Sequence, residues 1–475
     1  MDKHLLRSLY ELYLKHPVVT TDSRRCEAGS LFFALRGERF DGNRYAAETL
    51  RKGCALAVVD DPNVVDAEPF DQSDDLTAFG RHGQYFLVDD TLSALQQLAE
   101  YHRQQFAFWQ RPVAVIGITG TNGKTTTKEL MREVLAQQYN VLATEGNLNN
   151  QIGVPLTLLK VRPVHEIAII EMGANHPDDI AQLCAIVHPD YGLITNVGKA
   201  HLLGFGSLEG VVKAKTKLYD SLRRDNGVVF LDCGNQLLVP HTQRLQLVTY
   251  CLDKNRDHAL FSSEPKVTGR VADDSPVLHA ILTIDNTEVD IQTRLIGTYN
   301  LINITAAAAV GHHFGITRRQ IKAAIEGYEP SNMRSQLVDK GHGRFLILDA
   351  YNANPTSMMA ALESFSLNPA PHKCLILGAM GELGEESAAE HLNILRYLAG
   401  KAGFGNVLLV GKNFEDAFAS LSDDELLAWG QHTTVRCYAD VEALKEDRET
   451  LLRLPGTILI KGSNAQKLWL LNDVL

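Results

Sequence analysis

Val113-Ala114-Val115-Ile116-Gly117-Ile118-Thr119-Gly120-Thr121-Asn122-Gly123-Lys124-Thr125-Thr126-Thr127 decides how the chain is read. An apolar strand runs into glycines at positions 117, 120 and 123, then a Lys-Thr pair. A helix follows over 126–136, with Leu130, Val134 and Leu135 on one face. Glycine lets backbone N–H groups turn inward on a polyphosphate, and a helix N-terminus adds positive potential. Lys124 is placed to reach the β- and γ-phosphates, and the Thr125 hydroxyl to bind Mg²⁺. A plain strand-to-helix turn would not need Gly-Lys-Thr. The spacing departs from the common phosphate loop, because five residues separate Gly117 from Gly123 and Ile118 stands where a glycine is usual.

Outward from the loop, apolar runs at 167–170 and 191–197 alternate with helical patterns, as in a mostly parallel sheet. Short β-like runs over 228–296 read as later strands of the same unit, some antiparallel, before an Ala-rich helix over 302–312. Towards the N-terminus lie an amphipathic helix (5–13), strands at 30–35 and 55–59 and helices at 45–52 and 92–105. The acidic stretch 71–75 reads as a loop. Four apolar strands at 344–348, 374–377, 406–410 and 457–460 alternate with helices after residue 328. The expected fold class is α/β in three domains: a small α/β domain (1–105), a central phosphate-loop mononucleotide-binding domain (106–328) and a Rossmann-like domain (329–475).

Composition narrows the function. The 475 residues are 45% hydrophobic and carry a net charge of −11, which suits a globular protein and excludes a broad basic nucleic-acid-binding face. No run of 18 apolar residues predicts a membrane span, and Met1-Asp2-Lys3-His4 does not open a signal peptide. The seven scattered cysteines form no CxxC pair and read as reduced thiols of a cytoplasmic protein.

Three further segments carry chemistry. Glu171 ends the apolar run 167–170, at the strand edge where α/β sheets hold ligands, and its carboxylate suits Mg²⁺. The alternative on this stretch alone is a strand-end acid facing solvent. His201 follows a strand that ends in Thr195-Asn196; a lone histidine is more often structural than a ligand. Lys213, Lys215 and Lys217 alternate, so on a helix they fan out and cannot all serve one site.

Gly120-Thr121-Asn122-Gly123-Lys124-Thr125-Thr126 resembles the nucleotide loop of the Mur ligases and folylpolyglutamate synthases, which phosphorylate a carboxylate and condense it with an amine. Glu171-Met172-Gly173 and Thr195-Asn196 with His201 also resemble Mur segments. The resemblance implies ATP, two Mg²⁺ ions, Glu171 and His201 as metal ligands, and a carbamylated lysine, Lys215 with Lys213 as the alternative. Lys124, Glu171, His201 and Lys215 are then the catalytic set, with Thr125 beside them on metal.

Asp22-Ser23-Arg24, Ser30 and Phe40-Asp41-Gly42 resemble the UDP-binding domain of the Mur ligases, which folylpolyglutamate synthases lack. Ser23, Arg24, Ser30 and Gly42, with Asn147, Asn149 and Asn150, are the implied UDP-substrate residues. Asp349-Ala350-Tyr351-Asn352-Ala353-Asn354-Pro355 resembles the signature of the D-alanyl-D-alanine-adding branch, with Ala350 where serine is usual. It implies Tyr351, Asn352 and Asn354 in a dipeptide pocket, and Asn303, Arg334 and Asp349 on ATP. Thr356 stands after Pro355 where the diaminopimelate- and lysine-adding branches carry arginine. The implied substrates are UDP-N-acetylmuramoyl-tripeptide and D-alanyl-D-alanine, and a monomer is expected. A relative with an amino-acid acceptor and a non-catalytic nucleotide switch are the alternatives. The segment 378–385, with His391, either closes on ligand or only turns the chain.

Overall fold

The computed structural model describes residues 1–65, 80–258, 265–330, 334–401, 403–430 and 433–475. The predicted acidic loop 71–75 lies outside the described residues, as does Ser331 beside the second boundary. Three main sheets follow one another along the chain.

The first has the order Val19–Thr20, Leu31–Phe33, Leu56–Val59, Tyr85–Leu87, Gly80–His82, parallel except for the last pair. The central sheet has nine strands. The phosphate-loop strand Ala114–Thr119 lies between Tyr191–Ile194 and Ile167–Glu171, both parallel to it. These strands are buried on both faces, which is why they read as unbroken apolar runs. Val277–Ile284 and Thr287–Ile296 close the far edge as antiparallel strands, and their alternating burial marks a one-sided sheet. The third sheet holds six strands, not the four expected. The two missed ones, Gln336–Asp339 and Thr434–Tyr438, are edge strands with no fully buried residue, so they lack the continuous apolar signal.

The helix Lys124–Leu135 starts two residues earlier than expected, directly on Gly123. It buries Leu130, Met131, Val134 and Leu135 against the Ala-rich helix Leu301–His313. Truncating any of the larger side chains to alanine there would cost about 2–5 kcal/mol, so the helix that aims the phosphate loop is firmly seated.

The first two units share one apolar core, running from Leu9 and Phe106 to Val115 and Leu183. The helix Thr91–Gln105 joins them. Its Arg103 donates to the Val187 carbonyl at 2.9 Å and to both Asp190 oxygens at 3.0 Å, and Asp190 also accepts from Val115 N at 2.8 Å. The predicted connector is thus a packed joint rather than a loose linker.

His102 on that helix is almost fully buried. Its Nε2 lies 3.0 Å from the Val161 carbonyl, which can only accept, so Nε2 carries the proton and Nδ1 accepts from Tyr10 at 3.2 Å. Burial lowers its pKa from 6.5 to about 4. The folded state therefore holds the neutral ring while an unfolded chain would protonate it. The stabilisation is complete above pH 6.5 and is lost as pH falls towards 4, at about 1.4 kcal/mol per pH unit. Denaturant melts at pH 7 and pH 4.5 should show this loss, and His102→Gln should flatten it.

Candidate functional site

The phosphate loop is held from the neighbouring strand. Gly120 has φ +145°, and a Cβ there would meet Thr195 Oγ1 at 1.9 Å. Gly123, at φ +77°, caps the helix, and a Cβ would meet Asn303 Oδ1 at 2.7 Å. The residues of the lengthened loop dock on the segment after Tyr191–Ile194. Thr121 N donates to the Asn196 carbonyl and Asn122 N to its side chain, each at 2.9 Å. Thr195 Oγ1 and Asn196 Nδ2 donate back to the Asn122 carbonyl at 2.6 and 3.0 Å. Lys124 Nζ folds onto its own loop, donating to the Gly120 and Thr121 carbonyls at 2.8 and 3.2 Å. Desolvation lowers its pKa; Glu171 opposes this and Arg334 adds to it.

Glu171 is buried, at 1% exposure, at the end of its strand. It accepts from Thr125 Oγ1 at 3.1 Å and from Asn149 Nδ2 at 2.8 Å. Lys128, one turn beyond Lys124, is also fully buried. Its ammonium lies 3.7 Å from Glu171 and 3.1 Å from Glu129, and it donates to the Thr144 carbonyl. A solvent-facing Glu171 is thereby excluded.

His201 sits at φ +51° before a short helical turn, with Nδ1 against the Glu382 carboxylate of the third unit. Desolvation lowers its pKa, Glu382 opposes this, and Lys124 and Lys215 lower it further. The three alternating lysines separate. Lys213 is exposed, Lys217 pairs with Asp220 at 3.3 Å, and Lys215 is buried at 2% exposure. The Lys215 ammonium lies 5.9 Å from the Phe205 ring, and among the described residues it has no ion-pair partner. Burial, then Lys124, push its pKa well down, which favours the neutral amine that carbon dioxide could modify. Among the described residues no three His, Cys, Asp or Glu side chains gather to hold a metal. Mg²⁺ commonly takes one or two carboxylates and completes its shell with substrate phosphates and water. The Thr125 hydroxyl and the Glu171 carboxylate, 3.1 Å apart, offer oxygens of that kind.

A cleft of about 600 Å³ separates the second and third units. The phosphate loop, Glu171, His201 and Asn303 line one wall; Arg334, Asp349, Tyr351 and Asn352 line the other. The Arg334 guanidinium stacks 4.0 Å above Tyr351, and its buried Nε has no partner among the described residues. Asp349 pairs with the buried Lys461 at 2.6 Å. Asn303 accepts from Thr127 Oγ1 at 3.2 Å and lies against Gly123. The segment 378–385 does more than turn the chain, since Gly381 and Glu382 line the cleft and Glu382 meets His201.

Three of the expected ligand residues are engaged within the protein itself. Asn354 is not among the lining residues. It caps the helix Pro355–Ser366 and pairs with Asn122 across the units, so its amide is already engaged. Ser30 is fully buried and donates to the Glu27 carbonyl at 2.7 Å, which leaves it no surface for a ligand. Gly42 packs on backbone, where a Cβ would lie 2.7 Å from Leu35 O, so its role is steric. Ser23 and Arg24 remain accessible after the strand Val19–Thr20, with Arg24 paired to Asp22. Asn147, Asn149 and Asn150 line the central cleft beside Glu171, apart from Ser23 and Arg24.

Lys128, Asn196, Glu382 and Lys461 were not assigned roles from sequence. Lys128 had a signal, because it falls one helical turn after Lys124 and faces the same way. Glu382 and Lys461 had none, since their partners are 181 and 112 residues away. Lys128→Met should destabilise the fold by about 3–5 kcal/mol, because it strands buried carboxylate at Glu171. Chemical denaturation checks this, and an unchanged midpoint would contradict the pairing.

Comparisons with known proteins agree with this arrangement. The family models described as Mur ligase family catalytic domain, Mur ligase middle domain and Mur ligase glutamate ligase domain match residues 17–103, 118–311 and 333–464. The UDP-N-acetylmuramoyl-tripeptide–D-alanyl-D-alanine ligase of Bacillus subtilis is 36% identical over 80% of this chain and 77% of its own length. The ligase of the same name from Escherichia coli is 33% identical over 94% and 91%. A crystal structure of MurF from Acinetobacter baumannii superposes with a TM-score of 0.78 at 28% identity, covering 98% of this chain and 97% of its own. The chain belongs to the Mur ligase family.

Proposed function

We propose that this chain is an ATP-dependent ligase that joins D-alanyl-D-alanine to the terminal carboxylate of UDP-N-acetylmuramoyl-tripeptide, a step in making peptidoglycan precursor. The observation that carries the reading is the cleft itself, where a phosphate loop and a buried Glu171 face Asp349, Tyr351 and Asn352 across about 600 Å³. The names of the full-length relatives supply the substrates.

The reaction needs three things from the protein. The first is a grip on the triphosphate. The loop amides at 120–126 and the Lys124 ammonium serve this, and Lys124 exchanges its two loop carbonyls for phosphate oxygens. Arg334 and Asp349 close on the nucleotide from the other wall. Asn303 stands behind Gly123.

The second is charge compensation while the γ-phosphoryl group moves to the tripeptide carboxylate. Two Mg²⁺ ions at Thr125, Glu171, His201 and carbamylated Lys215 would neutralise the gathered oxygens. Lys128 and Asn149 hold the Glu171 carboxylate at a fixed angle, and Glu382 does the same for His201. Asn147 and Asn150 are placed to orient the peptide end.

The third is amine delivery. Tyr351 and Asn352 are placed for the dipeptide, whose free amine attacks the acyl phosphate and displaces phosphate. The proton lost by the amine leaves towards the cleft water or the departing phosphate. Residues 1–105 would hold the UDP-sugar through Ser23 and Arg24, 106–328 the ATP, and 329–475 the dipeptide. One chain supplies every group named, which supports a monomer. No helix of the described residues is long and apolar enough to cross a membrane; the nucleotide nature of the proposed substrates is what supports a cytoplasmic location.

Purified protein given UDP-muramoyl-tripeptide, ATP and D-alanyl-D-alanine should release ADP only when all three are present. ADP release that ignores the dipeptide would favour the nucleotide-switch reading, and faster turnover with a single amino acid would move the acceptor class. Lys124→Ala should cut turnover by about a thousandfold or more, with calorimetric affinity for the UDP substrate retained. Protein grown with ¹³C-bicarbonate should show a carbamate carbon resonance that Lys215→Ala removes and Lys213→Ala keeps.

A further inference from the structure

Asn122 and Asn354 form a reciprocal pair of side-chain amides across the cleft. Asn354 Nδ2 donates to Asn122 Oδ1 at 2.8 Å, and Asn122 Nδ2 donates to Asn354 Oδ1 at 3.4 Å. The two residues are 232 positions apart, and each is fixed on its own side. The Asn122 backbone is tied to Thr195 and Asn196 by three hydrogen bonds. Asn354 is only 4% exposed, and its Oδ1 also accepts from Ser357 N at 2.9 Å, capping the helix Pro355–Ser366.

The contact continues along the same two elements. Thr356 Oγ1, two residues past the cap, accepts from Lys199 N at 3.2 Å. A Cβ on Gly198 would meet that hydroxyl at 2.7 Å. Lys199 Nζ pairs at 2.6 Å with Glu390, which is 6% exposed. The N-terminus of one helix in the third unit is thus seated on the phosphate loop and the strand-end segment that holds it.

We propose that the Asn122–Asn354 amide pair is a positioning device for the ligase reaction. It sets the register of the acceptor-bearing unit on the phosphate loop, so that Tyr351 and Asn352 face the γ-phosphate position only when the pair is made. The proposal rests on the ligase reading above. It replaces dipeptide contact as the role of Asn354. An amide suits the task because it donates and accepts at once, so the pair forms in one orientation only and leaves no net charge beside the nucleotide. A carboxylate at either position would repel the triphosphate, and a hydroxyl could not span both bonds.

The cap and the pair can be separated. Asn354→Ser keeps a side-chain oxygen for the helix N-terminus but cannot complete the pair. Asn122→Ala removes the other half and leaves the loop backbone in place. The account expects each single variant to lose about tenfold in kcat/KM for the dipeptide, near the worth of one or two hydrogen bonds. The double variant should be no worse than about the poorer single, and Asn354→Ser should melt with the wild type. Multiplying losses, or Asn354→Ser at wild-type rate, would overturn it. Small-angle scattering without substrates gives a second readout that does not depend on which substrates are correct. Wild type should be more compact than Asn354→Ser, and coincident profiles would overturn the pair. Failure of the ligase reading shows separately, as wild-type protein that releases no ADP.

Discussion

Two anions must approach to bonding distance inside a chain that is itself net negative. A triphosphate and a carboxylate about 4 Å apart repel by about 4 kcal/mol per pair of unit charges at an effective dielectric constant near 20. The centre of the molecule is organised around that repulsion. Lys124, Lys128, Lys215 and Arg334 are gathered about the phosphate loop, at the edge where the parallel strands end, and two of them are fully or almost fully buried. Burying cations is costly, and the structure compensates unevenly. Lys128 has two carboxylates and a carbonyl, whereas Lys215 has no ion-pair partner among the described residues. The first arrangement fixes geometry. The second leaves an amine that is easier to keep neutral and therefore to modify.

The cleft is built from two rigid walls that belong to different sheets. On one side the phosphate loop is locked to the strand-end segment 195–198. On the other, a capped helix and the Asp349–Lys461 pair fix the acceptor wall. The first unit behaves differently, because it shares a continuous apolar core with the second and is pinned by Arg103 and Asp190. Motion is therefore expected between the second and third units rather than between the first and second. That division suits a reaction in which the nucleotide-sugar substrate stays put while nucleotide and dipeptide are enclosed between moving walls.

Much of this was legible in the sequence, for reasons that can be named. Buried parallel strands such as Ile167–Glu171 read as apolar runs, and glycines at 120 and 123 announced the loop before any geometry was known. Burial separates Lys215 from the exposed Lys213, a difference that alternation alone could not show. Edge strands such as Gln336–Asp339 escaped because half their residues face water. Ser30 and Asn354 share a feature that motif matching does not show. A polar residue in a motif can satisfy the protein's own backbone instead of a ligand, and only the partner's position distinguishes the two. The cross-cleft contact of Glu382 and the strand-to-strand pair of Lys461 with Asp349 had no local signature, because pairings over such separations carry no periodicity.

The central claim is that this cleft activates a carboxylate by transferring phosphate to it. Oxygen tracing tests that claim most directly. With UDP-muramoyl-tripeptide labelled with ¹⁸O in its terminal carboxylate, each turnover should place one ¹⁸O atom in the released phosphate, read by mass spectrometry or by the ³¹P isotope shift. Phosphate that carries no label while product accumulates would contradict the account, because the carboxylate oxygen would then never have bonded to phosphorus.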